Sequence, residues 1–264
     1  MGFTKYLSHP LTCGLNIDAQ ETTYLRKRII REKAFLHRLY KDWYALLTTA
    51  VPDGTGQALE LGSGGGFLRE YIPDLITSDI LAIPGVDQVV DAHALPFGTG
   101  ELRAILMTNV LHHLQEPRRF FQEAARCVHE GGVVAMLEPW HTPWSRFIYQ
   151  HFHHEPFDPT VAEWEIPPAG PLSGGNDAMP WVLFSRDRQR FLKEFPQWRI
   201  GTIQPLMPFR YLLSGGVGFR RLMPGWSYPS WRWLEQRLDR WRDWLAMFAH
   251  IVLVRTNASL PPQR

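Results

Sequence analysis

Long apolar runs are missing from this 264-residue chain, and no stretch approaches the ~20 consecutive apolar residues that a membrane-spanning helix needs. Cysteine is almost missing as well. Cys13 and Cys127 stand far apart, so they form neither a disulfide framework nor a zinc-ligand spacing, and a reducing, cytoplasmic setting is expected. An excess of one charge is missing too: 28 Lys and Arg face 26 Asp and Glu, which leaves no basic field for nucleic acid. The opening residues MGFTKYLSHP lack the apolar core of a secretion signal, and Tyr6 stands where a lipidated Gly2 would want Ser or Thr. What is abundant is ring surface. A hydrophobic share of 45% excludes a largely disordered chain, and eleven tryptophans are more than an ordinary core consumes.

Periodicity divides the chain into parts. Residues 18–50 carry Leu25, Ile29, Ile30, Phe35, Leu36, Leu39 and Tyr40 mostly at three- and four-residue spacings, which predicts a helix ended by the glycines and proline of VPDGTG. From Gln57 the texture changes to short apolar runs at 58–62, 75–79, 88–92, 103–109 and 132–138. Between them, stretches near 66–72 and 116–129 suit helices, the second with Pro117 in its first turn. Strands alternating with helices predict parallel pairing buried on both faces. Residues 139–185, rich in Pro, His, Trp and Gly, show neither helical nor alternating pattern and read as a binding insertion or lid. A helix over 185–195 with Ser185 as N-cap, a strand over 198–206, an amphipathic helix over 231–248 and a strand over 250–256 complete the chain. The expectation is one domain spanning 1–264, with 18–50 as a helical cover, 57–138 as the cofactor-binding half, 139–185 as the substrate-side insertion and 186–256 completing the sheet.

The most informative segment is Leu59-Glu60-Leu61-Gly62-Ser63-Gly64-Gly65-Gly66-Phe67-Leu68, at the end of the first expected strand. Glycines there let a ligand approach the backbone, and free N–H groups can meet an anion. A dinucleotide fingerprint would place Gly or Ala at position 67; this chain has Phe67, which disfavours a nicotinamide-dependent oxidoreductase. With Asp79 ending the second strand, Asp91-Ala92 before Leu95-Pro96-Phe97, Thr108-Asn109-Val110-Leu111-His112-His113, and Glu130-Gly131-Gly132, the run resembles the class I S-adenosylmethionine-dependent methyltransferases of the small-molecule type. The segments cover about residues 57–138 in the family's order; Arg103 stands where the family often has Asp. The resemblance implies an α/β fold: a doubly wound, mostly parallel seven-stranded sheet whose last strand is inserted antiparallel. It implies S-adenosylmethionine as cofactor and S-adenosylhomocysteine as product. It places Glu60, Gly62, Ser63, Gly64 and Gly66 at the glycine turn, Asp79 with Ile80 at the ribose, Asp91 and Ala92 at the adenine, and Asn109 and Val110 at the floor.

Methyl transfer from a sulfonium needs a positioned nucleophile and sometimes a base, but no metal. The candidate base is His113 or His154, with Glu138 as orienter; His112, Trp140, His141, Tyr149, His153 and Glu155 are expected to line the acceptor pocket. No metal is expected, because the run His151-Phe152-His153-His154-Glu155 lacks the i, i+4 spacing of a helical zinc site. The expected reaction is O-methylation of a small-molecule or lipid- or sugar-linked acceptor, with nitrogen and carbon acceptors also open. The other class of reading is a regulator or partner subunit that binds the cofactor without transferring the methyl group. The stripe Trp231, Leu234, Leu238, Trp241, Leu245, Phe248 is expected to pack on the sheet. Trp233 and Trp244 lie off it, beside Arg232, Arg237, Arg240 and Arg242, and offer a second contact, peripheral membrane among the choices.

Overall fold

The computed structural model describes residues 8–11, 14–152, 155–167, 170 and 172–257. Its short apolar runs form seven strands: β1 (Gln57–Leu61), β2 (Leu75–Asp79), β3 (Gln88–Val89), β4 (Leu102–Thr108), β5 (Val128–Pro139), β6 (Trp198–Leu206) and β7 (Phe248–Arg255). They make one sheet in the order β3-β2-β1-β4-β5-β7-β6, with β1 to β5 parallel and β7 antiparallel to both its neighbours. Successive residues of β4 serve opposite faces. Ile105 and Met107 join Phe120, Phe121, Phe184 and Phe191 on one side; Ala104 and Leu106 join Phe35, Leu39, Trp43 and Tyr44 on the other. Burial on both faces is why these strands read as continuous apolar runs. Chain order reverses between β1 and β4, and it is at the carboxyl ends of the strands flanking such a switch point that open α/β sheets take their ligands.

Helices α1 (Gln20–Glu32), α2 (Ala34–Ala50), α3 (Pro117–Cys127), α4 (Pro143–Phe152), α5 (Arg188–Glu194), α6 (Arg210–Ser214), α7 (Tyr228–Arg237) and α8 (Arg242–Leu245) surround the sheet. The expected 18–50 helix is two, broken at Lys33 (ψ 90°), whose buried ammonium donates to the carbonyls of Gly216 and Phe219. Near 66–72 there is no α-helix, only a 3-10 turn at Leu68–Glu70. Pro73 follows too soon to allow longer helical propagation, and the Phe67 ring is held by His37, Tyr40 and Tyr44 of α2. The glycine turn therefore has no helix dipole behind it.

Three further expectations are corrected. The insertion contains α4, opened by Pro143 and buried through Ser145, Ile148 and Tyr149. Ser185 is not an N-cap: it lies in a π-helical turn, Val182–Arg186, and α5 begins only after Asp187. The Asp187 carboxylate accepts instead from the Trp164 indole and the Arg186 guanidinium. The 231–248 helix is also broken. α7 ends at Arg237, a 3-10 turn spans Asp239–Trp241, and Phe248 already belongs to β7. Its stripe does not pack on the sheet, since Trp241 is exposed and Leu234, Leu238 and Leu245 are only half-buried.

Candidate active site

At the carboxyl end of β1 the chain turns sharply, with Gly62 at φ 66° and Gly64 at φ 40°. A side chain at Gly62 would strike a Val110 methyl, its first carbon only 2.5 Å away, so the ends of β1 and β4 meet here. The turn is fastened by its own polar groups. Ser63 donates its N–H to the Ser78 carbonyl and its hydroxyl to Glu60 Oε2 (both 2.8 Å), while Gly66 N–H donates to the Ser63 carbonyl. Asp79, at the end of β2, accepts Gly64 N–H at Oδ2 and Leu81 N–H at Oδ1, both at 3.0 Å. Burial pushes the carboxyl groups of Asp79 and Glu60 upward, Glu60 to about 7 from the ordinary 4.5. Ile80, next in line, is exposed.

Thr23 of α1 roofs this turn, its methyl 3.4 Å from where a Gly64 side chain would start. Its buried hydroxyl has no hydrogen-bond partner among the described residues. Thr23 escaped the sequence reading because a threonine inside an amphipathic helix carries no local signal; only the fold brings α1 over the loop. Thr108, the last residue of β4, likewise has a buried hydroxyl without a partner. Asp91 lies in the loop after β3 and accepts both the backbone N–H and the ring of His93; Ala92 beside it is buried. Asn109 takes a left-handed conformation, φ 57°, and donates its N–H to the Leu137 carbonyl, tying the end of β4 to β5.

Past the end of β4 the polar groups gather around a pair of imidazoles. Glu138, fully buried on β5, accepts the N–H groups of Val110 and Leu111 and lies 2.7 Å from His112 Nδ1. Glu138 thus orients His112 and not His113, contrary to the expected pairing. His112 Nε2 faces Glu155 Oε2 at 3.4 Å and Asp177 Oδ1 at 3.5 Å. Burial alone would lower its pKa, but Glu138, Glu155 and Asp177 prevail and hold it well above the ordinary 6.5. His113 is different. Its Nδ1–H donates to the Gly174 carbonyl (2.9 Å), and Nε2 stands 3.8 Å from Glu155 Oε2. Burial and the neighbouring His112 charge depress its pKa. The donor atoms of His112, His113 and Glu155 lie within 4.8 Å of one another, close enough for one divalent ion to span them.

Asp177 was not anticipated from sequence. The segment 174–178 reaches the site by long-range bonds: Asn176 N–H to the His112 carbonyl, Asp177 N–H to the Pro156 carbonyl, and Asp158 N–H to Asn176 Oδ1. Gly175 beside it packs tightly on the imidazole, since a side chain there would begin 2.9 Å from His113 Nδ1. The other expected pocket residues are spread wider. Trp140 is buried in the core, Tyr149 donates its hydroxyl to the Met247 carbonyl, and His141 lies between the rings of Phe157 and Trp181. His153 and His154 lie outside the described residues.

A family model described as a methyltransferase domain matches residues 59–136. No curated protein matches the chain in sequence. Among solved structures, one chain of the complex between the Haloferax volcanii Trm112 methyltransferase activator and a methyltransferase is similar over 88% of this chain and 97% of its own. Identity is 12% and the TM-score 0.50. Geranyl diphosphate C-methyltransferase from Streptomyces coelicolor A3(2) is similar over 95% and 91%, at 14% identity and TM-score 0.48. At such identities the likeness is one of fold, while the matched segment holds the glycine turn, Asp79 and the β4 end. Residues 59–136 thus carry a methyltransferase domain whose cofactor is S-adenosylmethionine, in a fold shared with these structures.

Proposed function

We propose that the protein methylates a hydroxyl oxygen of a small-molecule or lipid- or sugar-linked acceptor, with His113 removing the proton. The cofactor residues fit their group. Asp79 has spent one hydrogen bond on each oxygen and keeps lone pairs for ribose hydroxyls, and the unpartnered Thr23 hydroxyl stands over the same turn. Gly62, Ser63, Gly64 and Gly66 would line it, Glu60 would order it through Ser63, and Ile80 would border the ribose. Asp91 and Ala92 would take the adenine edge, with Asn109 and Val110 as the floor. When bound, the sulfonium supplies an electrophilic methyl group for in-line displacement.

The tautomer of His113 carries this reading. With Nδ1–H committed to the Gly174 carbonyl, the lone pair sits on Nε2, and a depressed pKa keeps it there at neutral pH. His112, held between Glu138 and the pair Glu155 and Asp177, positions that ring (centroids 4.1 Å apart) and keeps it neutral. The test is incubation with methyl-labelled cofactor and metabolite extracts, with mass spectrometry of the labelled product. An O-methylated product is expected. His113→Gln should cut kcat about 100-fold while leaving S-adenosylhomocysteine affinity in place. The wild-type rate should fall on the acid side only below the ordinary histidine range. A product methylated at nitrogen or carbon, or an unimpaired His113→Gln enzyme, would overturn the proposal. Absence of any product alongside tight S-adenosylhomocysteine binding would favour the binding-only regulator.

A further inference from the structure

Aromatic surface that folding does not use is concentrated in the last third of the chain. α7 is held to the body by polar bonds: its buried Glu235 accepts the N–H groups of Phe209 and Arg210 and pairs with the Arg210 guanidinium, which also reaches Asp42 and Tyr228. The tryptophans point the other way. Trp226 is 79% exposed, Trp244 61%, Trp233 56% and Trp241 48%. On α7 itself Tyr228 is buried against Phe35 and Trp231 is half-buried, so it is Trp233, with Trp226, Trp241 and Trp244 on the segments that flank α7, that faces outward.

The surface is continuous with α4. α8 packs on α4. A run of ring contacts also passes from Trp231 through Phe209 and Trp144 to Phe147 and Phe152, the last two exposed on α4. Leu238, Trp241, Trp244 and Leu245 line a shallow groove of about 310 Å³ within it. Cations rim the rings: Arg237 lies 5.0 Å from the Trp233 centroid and Arg240 5.6 Å from that of Trp241, with Arg232 exposed beside them. Of the acids nearby, Glu235 is buried against Arg210, Asp239 is paired with Arg242, Asp42 lies 3.5 Å from Arg232, and Asp243 is exposed, which leaves Arg237 and Arg240 as the cations over the rings.

We propose that this face docks on an anionic lipid surface. Indole rings with apolar bodies and a polar N–H suit the headgroup boundary, and arginines above them suit lipid phosphates. A second copy of the chain fits less well, because a two-fold contact through this face would set the same arginines against one another. α4 begins five residues beyond Glu138, so docking here would bring the acceptor side of the domain to the bilayer and favour a lipid-linked acceptor. That last step rests on the transferase reading; the docking does not.

The test uses the full chain with vesicles of phosphatidylglycerol and phosphatidylcholine against phosphatidylcholine alone, read by co-sedimentation and tryptophan emission. The expected result is partition onto the anionic vesicles with a blue shift, weakened in 1 M salt where screening falls to about 3 Å. Trp241→Ala/Trp244→Ala should lower partition about tenfold or more. S-adenosylhomocysteine affinity, measured separately, should be unchanged in that variant and reports on the cofactor reading alone. No partition onto anionic vesicles, equal partition of the variant, or a dimer by light scattering that the variant abolishes would each overturn the docking proposal. Partition with no methylation of lipid-linked acceptors would leave docking standing and overturn only the acceptor step.

Discussion

Glu60 should make the protein less stable as pH rises. Its carboxyl is buried beside the glycine turn, desolvation is the largest influence on it, and its pKa in the folded protein stands near 7 against 4.5 in solution. Between those values the folded state holds a proton that the unfolded chain has released, so unfolding free energy falls with pH and levels out above 7. With one pKa unit worth 1.36 kcal/mol, the loss from this one group between pH 5 and pH 8 is about 2.5 kcal/mol. Glu60→Gln keeps an oxygen for the Ser63 hydroxyl and cannot ionise. Urea unfolding of both proteins should therefore show the stability of the variant relative to the wild type rising by about 2.5 kcal/mol between pH 5 and pH 8. Other titrating groups shift both proteins alike and cancel in the difference. A difference that does not change with pH would refute the argument and mean that Glu60 ionises in the fold as freely as in water.

Three other outcomes are expected. Gly64→Val places a β-branched side chain at φ 40°, against Asp79 and Thr23, and should weaken S-adenosylhomocysteine binding about 10- to 100-fold in calorimetry; unchanged affinity in a folded variant would refute the placement of the cofactor there. Glu138→Ala strands two backbone N–H groups and the His112 ring in a fully buried position, and should cost about 3–5 kcal/mol in denaturant unfolding; a cost below 1 kcal/mol would mean water already serves those groups. Methyl transfer, measured after exhaustive dialysis against a chelator, should keep its rate; loss restored by a divalent ion would make His112, His113 and Glu155 an ion site.

The parts legible in the sequence are those encoded by neighbours along the chain. β1, β2, β4 and β6 lie within a residue or so of their expected positions because two-sided burial writes itself as an unbroken apolar run. The glycine turn and Asp79 are legible through their spacing. What could not be read depends on partners far off in the chain. The break at Lys33 answers to carbonyls at 216 and 219, the loss of a helix after Gly66 to α2 closing on Phe67, and the orientation of Glu138 toward His112 to the pairing of β4 with β5. The 231–248 stripe is the plainest case: its 3-4 spacing is real in the sequence, but the helix breaks after Arg237, Arg210 claims Glu235, and Trp241 is left outside.

These two kinds of encoding separate the halves of the site. The proposed cofactor side is assembled from the loops directly after β1, β2, β3 and β4, so its geometry is set largely by local spacing, with Thr23 as a roof residue. The proposed acceptor side joins His112 and His113 to Glu155 and Asp177, from segments tied to it by long-range bonds such as Asn176 N–H to the His112 carbonyl and His113 Nδ1–H to the Gly174 carbonyl. A side chain changed in 155–178 can therefore move the acceptor without disturbing the nucleoside. Variation in substrate among chains of this fold is physically cheapest there, because β1 and β2 need not shift when that insertion repacks.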